Sequence, residues 1–86
     1  MKVRIPTPLR SYTAQAAVVE AHGETVGEVF DDLDARYPGL RFRVVDEQGR
    51  IRPHMKVWVG AEAVRDLGAV VGPGDEVTIM QALSGG

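Results

Sequence analysis

Charged and apolar residues alternate through Lys2-Val3-Arg4-Ile5, the two-residue period of a strand with one buried face. Val3 and Ile5 therefore belong to the core, and Pro6 and Pro8 end the run. After a polar stretch around Ser11-Tyr12-Thr13, Ala16-Ala17-Val18-Val19-Glu20 predicts a second strand, closed by His22-Gly23. The two strands form a hairpin with a long loop.

The period then changes to that of a helix. Val26, Val29, Phe30, Leu33 and Tyr37 recur on one face, while Glu28, Asp31, Asp32 and Asp34 fall mainly on the others. Thr25 followed by Glu28 makes a capping box that starts this helix, and Pro38-Gly39 stops it. The segment from Leu40 to His54 reads as a loop, with a possible short strand at Phe42-Arg43-Val44-Val45 and a turn at Asp46-Glu47-Gln48-Gly49.

Alternation returns in Met55-Lys56-Val57-Trp58-Val59-Gly60, which sends Met55, Val57 and Val59 inward and leaves Lys56 and Trp58 on the opposite face. Val71-Gly72-Pro73-Gly74-Asp75 is a turn by composition. Pro73 suits the first central position and Gly74 the positive φ of a type II turn. A last strand follows from Glu76 to Leu83. The predicted order is β-β-α-β-β, an α+β class with residues 1–83 as one domain and 84–86 as a flexible C-terminal tail.

Eighty-six residues leave room for one core and little else. There is no cysteine, so disulfides, thiolate metal sites and thiol nucleophiles are excluded together. With only His22 and His54 as imidazoles no metal site is expected, and any sulfur chemistry must use sulfur from elsewhere. A net charge of −2 argues against generic affinity for nucleic acid. The absence of a long apolar run and of a signal-like start argues against a membrane partner and for a cytoplasmic location.

Candidate chemistry then narrows to the terminal Ser84-Gly85-Gly86. The chain resembles the ubiquitin-like sulfur-carrier family, which includes the small subunit of molybdopterin synthase, the thiamin sulfur carrier and a carrier of cysteine biosynthesis. Four stretches carry the resemblance: Thr25-Val26-Gly27-Glu28-Val29 with Tyr37-Pro38-Gly39-Leu40, Val57-Trp58-Val59-Gly60 running to Val64-Arg65, Gly72 to Ile79, and Gly85-Gly86. It implies a β-grasp fold, a mixed sheet around one main helix. It also implies a carrier rather than an enzyme: a partner adenylyltransferase, related to ubiquitin-activating enzymes, uses ATP to adenylate the Gly86 carboxylate. A sulfur donor then converts the acyl-adenylate to a thiocarboxylate for a sulfur-acceptor enzyme. No cofactor is expected on the chain itself.

The chemistry suits these residues. A carboxylate is a poor electrophile until it is joined to a leaving group. Glycines at 85 and 86 carry no Cβ to obstruct a narrow channel, and from Ala82 to Gly86 the chain reaches ~13 Å at about 3.3 Å per residue. Strand alternation directs Trp58 and Met80 to the sheet face away from the helix, where they and Leu83, at the neck of the tail, are expected to dock the partner. Two departures from the family pattern bear on which partner. Met80-Gln81-Ala82-Leu83-Ser84 stands where many relatives have a proline-containing run, and the Leu40 to His54 segment is longer than in the smallest members. The resemblance is slightly greater to the cysteine-biosynthesis carrier, especially in this longer segment, and the sequence leaves open whether the sulfur goes to a molybdopterin precursor, a thiazole, a cysteine precursor or a tRNA base.

Other groups carry less. Arg41, Arg43, Arg50, Arg52, His54 and Lys56 would line one side of an extended backbone and could meet RNA or an acidic partner, but Asp46 and Glu47 interrupt them and solvated surface is the simpler reading. Gly68, Gly72 and Gly74 lack the Gly-Lys-Ser/Thr of a phosphate loop. Asp31, Asp32 and Asp34 read as the wet face of the helix. Two other functions share the fold: a modifier joined through Gly86 to target lysines, and an interaction module whose tail is inert.

Overall fold

A computed structural model describes residues 1–82. In it Val3, Ile5, Met55, Val57, Val77 and Ile79 are all buried, the inward halves of three alternating runs. Strand β1 (Lys2–Arg4) pairs antiparallel with β2 (Val18–Glu20), as the hairpin predicts. The connection is no plain loop. Thr7–Thr13 forms a 3₁₀ helix, with Leu9 buried beneath it and a left-handed residue, Ala14 (φ 53°), at its end. Thr13 is buried with its hydroxyl 2.9 Å from Ala16 O and 3.2 Å from Arg10 O, which holds the following reversal together.

Helix α1 (Val26–Arg36) starts and stops where the sequence indicates. The Glu28 N–H donates to Thr25 Oγ1 at 3.2 Å. The Glu28 carboxylate reaches back one residue further than the standard box and accepts from the Glu24 N–H at 3.0 Å. Two more amides of the helix start find partners outside it: Val26 N–H donates to Ala69 O at 3.0 Å and Gly27 N–H to Leu67 O at 2.8 Å. Val26, Val29, Phe30 and Leu33 are fully buried against the sheet, and burial of Phe30 alone is worth roughly 2–3 kcal/mol.

One expectation for the middle of the chain fails. Leu40–Val44 is a short helix, α2, and not a strand at 42–45. Leu40 and Val44 are buried at i and i+4, while Phe42, which a strand would have aligned with Val44, is 55% exposed. The turn at 46–49 is present, with Gly49 at φ 77° and the isolated bridge Val45↔Ile51 beside it.

Strand β3 (Met55–Val59) turns at Gly60 (φ 59°) into a strand the sequence did not announce, β4 (Glu62–Val64). The Gly72–Asp75 turn is real but is not type II, because Gly74 has no positive φ. Asp75 closes it instead: its N–H donates to Gly72 O at 3.0 Å while its carboxylate accepts from Gly72 N–H at 2.8 Å. Strand β5 (Val77–Gln81) then enters the middle of the sheet, whose order is β2-β1-β5-β3-β4. It runs parallel to β1 and antiparallel to β3. The mixed sheet with both helices on one face is the β-grasp arrangement, and it makes the last strand a central one.

Candidate functional site

The central position of β5 decides where the chain leaves the fold. Val77 and Ile79 anchor the strand in the core, Thr78 and Met80 face away from the helices, and the Ala82 N–H donates to His54 O at 2.8 Å. Ala82, the last described residue, therefore lies at the middle of one end of the sheet. Leu83, Ser84, Gly85 and Gly86, the expected neck and reactive end, lie outside the described residues.

Trp58 and Met80 share the outer face as expected. Trp58 is opposite Thr78 and Lys56 opposite Met80, so Trp58 and Met80 are diagonal neighbours on adjacent antiparallel strands. The pairings Val18–Arg4–Thr78–Trp58–Ala63 continue this row across all five strands. Met80 is 48% exposed, but Trp58 is only half-buried, with its indole Nε1 enclosed and without a hydrogen-bond acceptor. Arg4 is held on the same face by an ion pair with Glu76. Beside the end of β5 the first loop and the strand enclose a groove of about 890 Å³, with Ile5, Pro6, Pro8 and Met80 as apolar walls and Arg10 and His54 as cationic or titratable ones.

The six basic residues of the middle segment do not line one side of an extended chain, because Arg41 and Arg43 lie on α2; Arg43, Arg52 and His54 nevertheless border one groove with Phe42, and Arg50, Arg52 and Lys56 border another. Arg41 faces back to Asp31 of α1 at 3.2 Å. Arg52 donates from Nε to Phe42 O at 2.8 Å, and its guanidinium lies 4.6 Å from the centre of the Phe42 ring, which accounts for an exposed aromatic there. Asp46 accepts from the N–H groups of Arg50 (3.0 Å) and Gln48 (2.9 Å); the Arg50 amide chiefly holds its carboxyl below the usual carboxylate range.

The acidic face of α1 has structural duties that sequence reading missed. Asp32 accepts from the His22 N–H at 2.9 Å, and Asp34 Oδ1 accepts from the amides of Gly39 (3.1 Å) and Arg41 (3.3 Å), tying α1 to the start of α2. The signal for Asp34 was a short-range one, a carboxylate four residues before a Pro-Gly break. The glycines at 68 and 72 lie in turns closed by Asp66 and Asp75, not in a phosphate loop. Among the described residues no group of three or more His, Asp or Glu is placed to hold a metal, and no helix is long and apolar enough to cross a membrane.

The arrangement thus offers a shaped outer face, with the last described residue at the middle of one end of the sheet. Comparison with known proteins agrees with it. The ThiS family model matches residues 3–86. The sulfur carrier protein CysO of Mycobacterium tuberculosis is 38% identical over 98% of this chain and 96% of its own length. A chain of the Amycolatopsis orientalis BexX/CysO complex superposes with a TM-score of 0.91 at 40% identity, covering 99% of this chain and 98% of that one. The crystal structure of SAMP1 from Haloferax volcanii gives a TM-score of 0.76 at 30% identity over 100% and 98% of the two chains.

Proposed function

The chain belongs to the ThiS family, and on that premise we propose that it carries sulfur as a thiocarboxylate formed at the carboxylate of Gly86. The observation that carries the reading is the pairing of near full-length similarity to a sulfur carrier protein with a last strand that runs through the centre of the sheet to its end. The four residues after Ala82 have a reach of ~13 Å, enough to enter a partner's site.

The work divides between two proteins. A partner adenylyltransferase binds the outer face around Trp58 and Met80, with Leu83 at the neck, and receives Gly85-Gly86 in a channel too narrow for side chains. A Gly86 carboxylate oxygen attacks the α-phosphorus of ATP, pyrophosphate leaves, and the donor's sulfur then displaces AMP from the carbonyl carbon. The resulting thiocarboxylate passes its sulfur to an acceptor enzyme, which in view of the resemblance to CysO belongs to cysteine biosynthesis. This chain contributes the carboxylate and the docking face. Similarity to a CysO complex with another protein supports a partner enzyme.

A second reading is favoured by the likeness to a small archaeal modifier protein: the activated Gly86 also joins target lysines. Both readings share the activation step and differ in the acceptor. Reconstitution separates them. With the adenylyltransferase of its own cells, ATP and labelled sulfide, the chain should take up label in an ATP-dependent way, and a version ending at Ser84 should not. Activation without sulfur uptake, followed by transfer to lysines, would favour the modifier.

A further inference from the structure

Strand β3 is longer than the edge strand beside it. It pairs with β5 along its whole length, from Met55 to Val59, but with β4 only over Val57 to Val59. Met55 and Lys56 therefore have a strand on one side and none on the other, and β4 is the last strand on that edge. The open stretch is a groove of about 470 Å³ between residues 50–53, the start of β3 and residues 63–65. Ile51 and Pro53 give it an apolar wall, and the charged side chains that border it are all cationic: Arg50, Arg52, Lys56 and Arg65.

Four cations without an acid stand out on this chain. Its net charge is −2, and residues 20–34 carry Glu20, Glu24, Glu28, Asp31, Asp32 and Asp34 with no lysine or arginine. Elsewhere arginines are matched, Arg4 with Glu76, Arg36 with Asp32 and Arg41 with Asp31. Among the described residues none of the four groove cations forms an ion pair. Asp46, in the adjoining turn, accepts from the amides of Gln48 and Arg50 instead. Arg52 is also held in position, by the bond from Nε to Phe42 O and by its stacking on the Phe42 ring, so less side-chain freedom remains to be lost when an anion arrives.

We propose that this groove docks an extended, acidic segment of a protein partner, with carboxylates against the four cations and apolar side chains against Ile51 and Pro53. The open edge lets such a segment lie beside Met55 and Lys56, where a longer β4 would have run. Opposite charge speeds the encounter and rejects basic competitors. A nucleic acid fits less well. Its phosphates make no use of an apolar wall, the exposed aromatic nearby, Phe42, is already stacked with Arg52, and the acidic stretch 20–34 repels a long polyanion. Lys56 lies opposite Met80, so the groove continues the outer face assigned above to docking, but it needs no chemistry at Gly86.

The full chain, labelled with nitrogen-15, is titrated with a short end-blocked peptide that alternates Glu and Val, and its amide signals are followed by NMR. The peptide should move the signals of residues 50–57 and 63–65 and leave those of α1 in place. Raising salt from about 20 to about 200 mM should weaken binding roughly tenfold. Arg50→Glu and Arg65→Glu should each raise Kd by about fivefold or more, while Lys2→Glu, the same charge change on β1, should alter it less than about twofold. The side chains of Arg50 and Arg65 are exposed and make no hydrogen bond among the described residues, so the unfolding curves of these variants should match that of the unmodified chain. The shift map of the unmodified chain stands whatever the variants do. Absence of shifts at millimolar peptide, shifts scattered over the surface, equal shifts with a Lys-Val peptide, or tighter binding of a uridine-rich RNA at the same residues would each overturn the proposal.

Discussion

The N–H of Ala82 donates to the carbonyl of His54 at 2.8 Å, one residue before the strand that carries Trp58 begins. This bond fixes the last described residue, Ala82, relative to the outer face. In the proposed function docking and reaction are separable. Met80→Glu, which puts a charge in the half-exposed position diagonal to Trp58, should lower kcat/KM for activation by the partner about tenfold or more, the cost of a lost interface anchor. The unfolding curve should not move. Equal activation kinetics for the two proteins would remove this face from the docking surface.

Gly23 approaches α1 so closely that a Cβ there would lie 2.7 Å from the Val29 nitrogen and 2.9 Å from the Glu28 carbonyl carbon. Both are helix backbone and cannot move aside alone. Gly23→Ala should cost roughly 1–3 kcal/mol, visible as a lower denaturant midpoint at unchanged slope.

Thr25 caps the same helix through the 3.2 Å bond from the Glu28 amide. Thr25→Ala should lose about 1 kcal/mol, and Thr25→Ser should recover most of it. A Ser variant as weak as the Ala one would mean that the methyl group, not the cap, matters.

Asp46 links the 46–50 turn to pH. Its carboxyl is held below its ordinary value of 3.8, first by the Arg50 amide. A group whose folded pKa is depressed stabilises the fold above its unfolded pKa and loses that contribution as pH falls through the folded one. Asp46→Asn should therefore be less stable than the unmodified chain at neutral pH, with the gap closing as the solution is taken below the ordinary carboxylate range. A gap that persists at the lowest pH would show that charge is not what the turn uses.

The parts of this fold that could be read from sequence are those where one period dominates. Val3 and Ile5, Met55 and Val57, and the stripe Val26-Val29-Phe30-Leu33 each have an alternative that would bury charge, so their faces are unambiguous. In Leu40–Val44 two periods coincide: Arg-Phe-Arg-Val alternates like a strand, while Leu40 and Val44 are one helical turn apart. The tie is broken by tertiary contacts, the Asp34 bonds to residues 39 and 41 and the Arg52 guanidinium on Phe42, which no local pattern contains. Glu62–Val64 is too short to show a period and becomes a strand only because β3 offers it an edge. Pro73-Gly74 suits more than one turn type, and the choice falls to Asp75. The outer-face pair Trp58 and Met80 was legible from alternation alone, but the half-burial of Trp58 with its indole Nε1 enclosed was not.

The central claim is that Gly86 carries sulfur. The chain isolated from its own cells, treated with a thiol-directed alkylating reagent and weighed intact beside a version lacking Gly85-Gly86, tests it directly. No cysteine competes for the reagent, and alkylation distinguishes a thiocarboxylate from methionine oxidation, which changes mass almost equally. The account predicts one adduct, on the C-terminal peptide ending at Gly86 and missing from the truncated chain. An unreactive tail, under conditions where a known thiocarboxylate carrier is alkylated, would contradict it.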